Sequence, residues 1–171
     1  MKKLLSVFTI ITIAFTLQSA AQNDASKRPS PPMTSTATIG AAKISIKYSS
    51  PSVKGREIWG KLVPYGEIWR TGANEATIFE TDQDISINGS NLPKGKYALF
   101  TIPEKEEWTI VFSKNSNQWG TYSYKASEDA LRVKAKAATA EHQEQLKIDV
   151  QADGNATIHW EKVKVSFTIK H

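Results

Sequence analysis

The sequence predicts an all-β protein: a single antiparallel β-sandwich, jelly-roll-like or barrel-like, carrying one long aromatic and arginine-rich loop. Three observations lead there. From about residue 36 apolar and polar residues alternate with a period of two, the spacing that sends one face of a strand into a core. The runs are short and are punctuated by tight-turn signals, of which Asn88-Gly89 and Asp153-Gly154 are the strongest. Many short strands so spaced pack as a sandwich or barrel.

In chain order, Ile44, Ile46 and Tyr48 alternate with Ser45 and Lys47. Ala76–Thr81 reads as a strand, and Ile85 and Ile87 mark another before the Asn88-Gly89 turn. Leu92-Pro93-Lys94-Gly95 opens the strand Lys96–Ile102, and Pro103 closes it because proline donates no ladder hydrogen bond. Trp108, Ile110 and Phe112 share one face, with Thr109, Val111 and Ser113 on the other. Leu131, Val133, Ala135 and Ala137 follow, then Leu146, Ile148 and Val150, then Ile158 and Trp160, then Val163, Val165, Phe167 and Ile169. The total is about ten strands. Ala135–Gln145 has helix-favouring composition but no sustained 3.6-residue apolar stripe, so it reads as strand plus turn.

Residues 1–21 read as a secretory signal peptide. Lys2 and Lys3 precede a mostly apolar run from Leu4 to Leu17, and Ser19-Ala20-Ala21 supplies the small residues of a cleavage site. The run is shorter than the roughly 20 residues that span a bilayer, so no stable membrane anchor is expected after cleavage. Residues 22–34, polar and proline-rich, read as a flexible linker, and residues 35–171 as the β-sandwich domain. A periplasmic or extracellular location follows.

Composition narrows the function classes. The chain has no cysteine, which excludes disulfides, thiol nucleophiles and thiolate metal sites. The net charge of +5 includes Lys2 and Lys3; lysines spread along strands are a solvated sheet face rather than a nucleic-acid footprint, and no nucleic-acid partner is expected. His142, His159 and His171 are scattered, with no metal-ligand spacing. No metal and no cofactor is expected. The oligomeric state is left open.

Residues 51–77, PSVKGREIWGKLVPYGEIWRTGANEAT, interrupt the strand pattern. Long connections inside compact domains are uncommon and tend to carry function. Arg56, Trp59, Tyr65, Trp69, Arg70, Asn74 and Glu75 form the candidate ligand-binding set, with Trp119 as a further wall if the fold brings it near. Ring faces stack on sugars or flat apolar surfaces. Paired guanidinium donors grip a carboxylate or phosphate. The competing arrangement is structural: the tryptophans plug the end of the sandwich and Arg70 pairs with Glu75.

Pro51, Gly55-Arg56 with Ile58-Trp59-Gly60 one residue on, Leu62-Val63-Pro64-Tyr65-Gly66 and Trp69–Thr77 resemble the hallmark of a secreted bacterial family catalogued as domain of unknown function 2911. Leu92–Pro103, Asn117-Gln118-Trp119-Gly120 and Asp129–Val133 are similar to the same family. The resemblance implies secretion and one β-rich domain, and it implies no activity. The functional expectation is an exported protein that binds a glycan, an envelope component or a small polar ligand through the 51–77 loop. The alternatives are a hydrolase with Glu75 or Glu57 as acid–base and a structural envelope protein.

Overall fold

Alternation along the chain becomes pairing across a sheet. The computed structural model describes residues 27–171. The expected signal peptide, and residues 22–26 of the expected linker, lie outside them. The strands are β1 (Pro32–Ile39), β2 (Ala42–Ser49), β3 (Thr77–Thr81), β4 (Ile85–Ile87), β5 (Ser90–Leu92), β6 (Gly95–Ile102), β7 (Glu107–Ser113), β8 (Asp129–Val150) and β9 (Asn155–Lys170). They form one open sheet in the order β1-β2-β3-β6-β7-β8-β9-β4-β5. Every pairing is antiparallel. The fold is therefore all-β and sandwich-like. Pro32–Thr34 belong to β1 although their composition reads as linker; their main chain pairs with Lys47–Ser49.

β8 makes the sheet turn over. Its first half pairs with β7, through Glu107↔Lys136, and its second half with β9, from Ala137↔Val165 to Val150↔Ala156. The far end of β8 then meets β1 and β2. The Ser35 hydroxyl donates to Asp149 Oδ1 (3.3 Å) and accepts from Val150 N (3.0 Å), and Tyr48 OH accepts from Ile148 N (3.1 Å). Between the two halves lies the main core, in which Ile44, Ile46, Phe79, Leu99, Ile110, Phe112, Ile148, Trp160 and Phe167 are almost fully buried. The opposite face carries a smaller cluster of Ala76, Ala98, Phe100 and Val111, covered by Ile68, Ile102 and Tyr124.

The expected strand plus turn at Ala135–Gln145 is instead the continuous middle of β8. Thr139 pairs with Val163, Gln143 with Glu161 and Lys147 with His159, so β8 twice spends four residues where β9 spends two. The surplus forms bulges. What holds them extended is distant in sequence: Val53 N donates to Glu144 O (2.8 Å) and Leu146 N to Pro51 O (2.9 Å).

The two turn signals behave as their chemistry requires. Asn88 and Gly89, at φ +48° and +85°, close the β4–β5 hairpin. Gly154, at φ +87°, has Ile169 O only 2.1 Å from where a Cβ would stand. Around Gly89 such an atom meets nothing within 4 Å. Gly89→Ala should therefore cost only the left-handed backbone penalty, about 1–2 kcal/mol. Gly154→Ala should cost clearly more in urea unfolding, because β9 must also shift. Equal losses would show that β9 yields freely at Ile169.

Candidate functional site

Residues 51–77 are not a free loop, because hydrogen bonds stitch them to three strands. Ala73 N donates to Ser49 O at the end of β2 (3.2 Å). Trp69 and Thr101 exchange both backbone bonds at the end of β6 (2.7 and 2.9 Å), and Gly66 N donates to Pro103 O (2.9 Å). The β8 bulge holds the start of the segment. Glu144 O accepts from Val53 N, and the Glu144 carboxylate accepts from Lys54 N (2.9 Å). That backbone bond, reinforced by His142, holds the Glu144 carboxyl below the usual carboxylate range.

Four of the five tryptophans meet beneath this segment. Trp59 lies edge-on to Trp108 (centroids 4.9 Å apart), Trp69 (5.8 Å) and Trp160 (5.9 Å), and Trp69 stacks on Trp160 (5.9 Å). Trp108 and Trp160 are sealed in the core, whereas Trp59 and Trp69 are half-buried against it. Three of the indole N–H groups find carbonyls, on Gly72, Glu104 and Glu144. The fourth, Trp59 Nε1, is buried without a partner. Trp59 and Trp69 thus do part of what a plug does.

They do not fill the space above them. A cavity of about 290 Å³ is lined by Pro51, Leu62, Val63, Pro64, Ile68, Trp69 and Trp160 on its apolar walls and by Ser30, Arg56, Glu67, Arg70 and Thr121 on its polar ones. The Arg56 guanidinium is fixed by two carbonyls, with Nε donating to Val53 O (3.1 Å) and Nη2 to Ser52 O (2.6 Å). Arg70 differs. Its Nε is buried with no partner, and among the described residues no carboxylate pairs with it. The expected Arg70–Glu75 pair is absent, because Glu75 binds Arg28 instead (2.9 Å).

Thr71, next to Arg70, sits at φ +55°, an uncommon conformation for a β-branched residue. It is fully buried and fixed by hydrogen bonds. Its hydroxyl meets Trp69 O (3.3 Å) and Thr101 Oγ1 (3.1 Å), and its carbonyl accepts from Thr77 Oγ1 (2.8 Å). Such strain persists only where surrounding structure enforces it, and it concentrates at functional sites.

A family model described as protein of unknown function (DUF2911) matches residues 30–169, which include every residue lining the cavity. The chain belongs to the DUF2911 family. No curated protein and no solved structure is similar enough to count as a match. The description of the family carries no activity, so the reading of this DUF2911 protein rests on its site.

Of the eight residues singled out by sequence, Arg56, Trp69 and Arg70 line the cavity. Trp59 supports it from below. Tyr65 is exposed beside Gly60. Asn74 ties the loop to the N-terminal segment, its Nδ2 donating to Ser30 O (3.4 Å). Glu75 lies away from the cavity. Burial would raise its carboxyl pKa, but its own backbone N–H and the Arg28 guanidinium outweigh that and hold it low. Trp119 does not line the cavity: its main chain bridges to Glu75, and the residue is 54% exposed. Glu57 is likewise exposed and off the wall.

Outside the 51–77 segment, Ser30, Gly120, Thr121 and Trp160 are contributors that sequence patterns did not assign to the site. A Cβ on Gly120 would stand 3.1 Å from Arg70 Nη1, so the guanidinium rests on bare backbone. The segment bearing Gly120 is anchored by Tyr124, whose hydroxyl donates to Asp129 Oδ2 (2.8 Å) and accepts from Arg132 Nη2 (2.6 Å). Burial, then Asp129, push the Tyr124 pKa up.

Two expectations follow. Trp59→Ala should destabilise by about 3 kcal/mol, since it opens a hole among three indoles, and Tyr65→Ala by under about 1 kcal/mol; urea unfolding separates them. The Arg28–Glu75 pair lowers the folded pKa of Glu75, so its contribution is present above the ordinary value of 4.5 and fades as pH falls through the depressed one. Arg28→Ala should flatten that acid limb slightly, by less than about 1 kcal/mol for so exposed a pair. Thermal melts at pH 6 and pH 3 check this, and an unchanged pH slope would remove Arg28 from the account.

Proposed function

We propose that this DUF2911 protein is exported and binds, without transforming it, a small ligand that carries a carboxylate or phosphate on a compact apolar or flat body. Export rests on the amino-terminal pattern: Lys2 and Lys3, the mostly apolar run Leu4–Leu17 and the small residues Ser19-Ala20-Ala21. Binding rests on one observation above the others. The cavity has a half-buried arginine whose Nε is desolvated and unpaired beside the stacked indoles.

An unmatched buried donor costs roughly 1–3 kcal/mol. A ligand oxygen that draws the Arg70 guanidinium round to face it removes the cost. Arg70 Nε is a donor, so the chemistry it lacks is an acceptor. Arg56, pre-oriented by two carbonyls, can add a second positive group. The cavity volume lies at the small end of the range for ligand pockets, about 300–1,000 Å³. It suits a single-ring acid rather than a long chain. Hydrolysis draws no support, since Glu67 is the one acidic residue on the wall.

The test is a thermal-shift screen with benzoate, galacturonate, phosphate and glycerol phosphate on wild type and Arg70→Met. Without ligand, Arg70→Met should be as stable as wild type or more so, because it removes an unpaired donor. With ligand, wild type should gain about 2.7 kcal/mol at a hundredfold excess over Kd, and the variant nothing. If no acid shifts wild type, or if Arg70→Met responds equally, the proposal falls.

A further inference from the structure

A second feature adjoins the cavity. Among the described residues five large apolar side chains stand out into solvent: Met33, Leu62, Tyr65, Trp119 and Tyr122. Four of them belong to the two loops that enclose the cavity, residues 51–77 and the connection between β7 and β8. Tyr122 is 86% exposed and Trp119 54%, in a protein whose other four tryptophans cluster under the cavity. Of these, Tyr122 is the one whose ring stands beside a cavity residue, since it and Arg70 both approach Gly120.

Gly120 fixes where Tyr122 stands. The point above its Cα where a side chain would begin is 3.1 Å from Arg70 Nη1 and 3.5 Å from the Tyr122 ring. The ring and the guanidinium therefore flank the same bare stretch of backbone, and Thr121 between them lines the cavity. A group held by Arg70 has Tyr122 as its next neighbour along the surface.

The chemistry of the connection narrows the partner. Asn115, Ser116, Asn117, Thr121 and Ser123 interleave amides and hydroxyls with the two exposed rings, whereas the Gln118 amide is buried and bonded to Asn115 O. Sugars present C–H faces that pack on aromatic rings and hydroxyls that exchange hydrogen bonds with amides. The segment is irregular apart from one bridge at Trp119, so it offers no strand edge for a peptide to extend.

We infer that the ligand is the acidic end of a glycan. The terminal sugar enters the cavity with its carboxylate on Arg70 and Arg56, and the next sugar stacks on Tyr122. This inference rests on the acid-binding reading above and adds the chain and its direction.

The experiment is isothermal titration with galacturonic acid, its trimer and the neutral trimer maltotriose, on wild type, Tyr122→Ala and Arg70→Met. The trimer should bind wild type about tenfold more tightly than the monomer, a difference of about 1.4 kcal/mol. Tyr122→Ala should erase that advantage while leaving monomer affinity and melting temperature unchanged, since the ring is solvated. Arg70→Met should lose both acids, and maltotriose should not bind. Equal affinity for monomer and trimer, an advantage that survives Tyr122→Ala, or maltotriose binding like the acidic trimer would overturn the inference. If neither acidic sugar binds but benzoate or phosphate still shifts the melting temperature through Arg70, the glycan is wrong and the acid-binding cavity stands. If no acid binds at all, both fall.

Discussion

Glu144 joins the scaffold to the site. Its carbonyl oxygen accepts from Val53 N, which starts the 51–77 segment, and from Trp160 Nε1, which floors the cavity (3.3 Å). Its carboxylate accepts from Lys54 N and meets His142. It can do so only because β8 bulges between Thr139 and Lys147. A regular ladder would keep those carbonyls paired with β9. The bulge releases them toward the loop, and the loop then has a fixed origin from which to cross to β6.

From that origin the indole cluster sets the height of the cavity floor. Trp108 and Trp160 are core residues of β7 and β9, and Trp59 and Trp69 are the loop's return to them. Edge-to-face packing at about 5–6 Å fixes both rings on the loop side without letting them sink further. The residues above cannot collapse onto the floor, because the backbone bonds at Ser49, Thr101 and Pro103 hold the segment open.

The expensive features gather in the same place. Thr71 in a left-handed conformation, Arg70 with a buried unpaired Nε and Trp59 with an unpaired indole N–H all lie on one loop. Each opposes folding, and the dense hydrogen bonding around Thr71 and the packing of four indoles offset them. A scaffold selected for stability alone would relieve these groups with a carboxylate at the position of Gly120 or with an apolar residue in place of Arg70. Their gathering on one loop is the feature on which the proposed ligand site rests.

The strand pattern was legible because burial alternates with a period that any reader of the chain can count: Ile44, Ile46 and Tyr48, or Trp108, Ile110 and Phe112, face the core where the alternation puts them. The turns at Gly89 and Gly154 were legible because their backbone angles favour glycine. The 51–77 segment could be singled out, and Arg56, Trp69 and Arg70 named, from residue types alone. The single span of β8 could not, because what keeps Ala135–Gln145 extended is Pro51–Val53, about ninety positions earlier. The partner of Glu75 was equally hidden. Arg70 stands nearer in sequence, but the fold brings Arg28. Gly120 and Trp160 joined the site, and Trp119 stayed off its wall, for the same reason. Local chemistry determines which stretches become strands and which cannot. Which side chains share a cavity is decided by contacts between distant segments, whose energies no local pattern records.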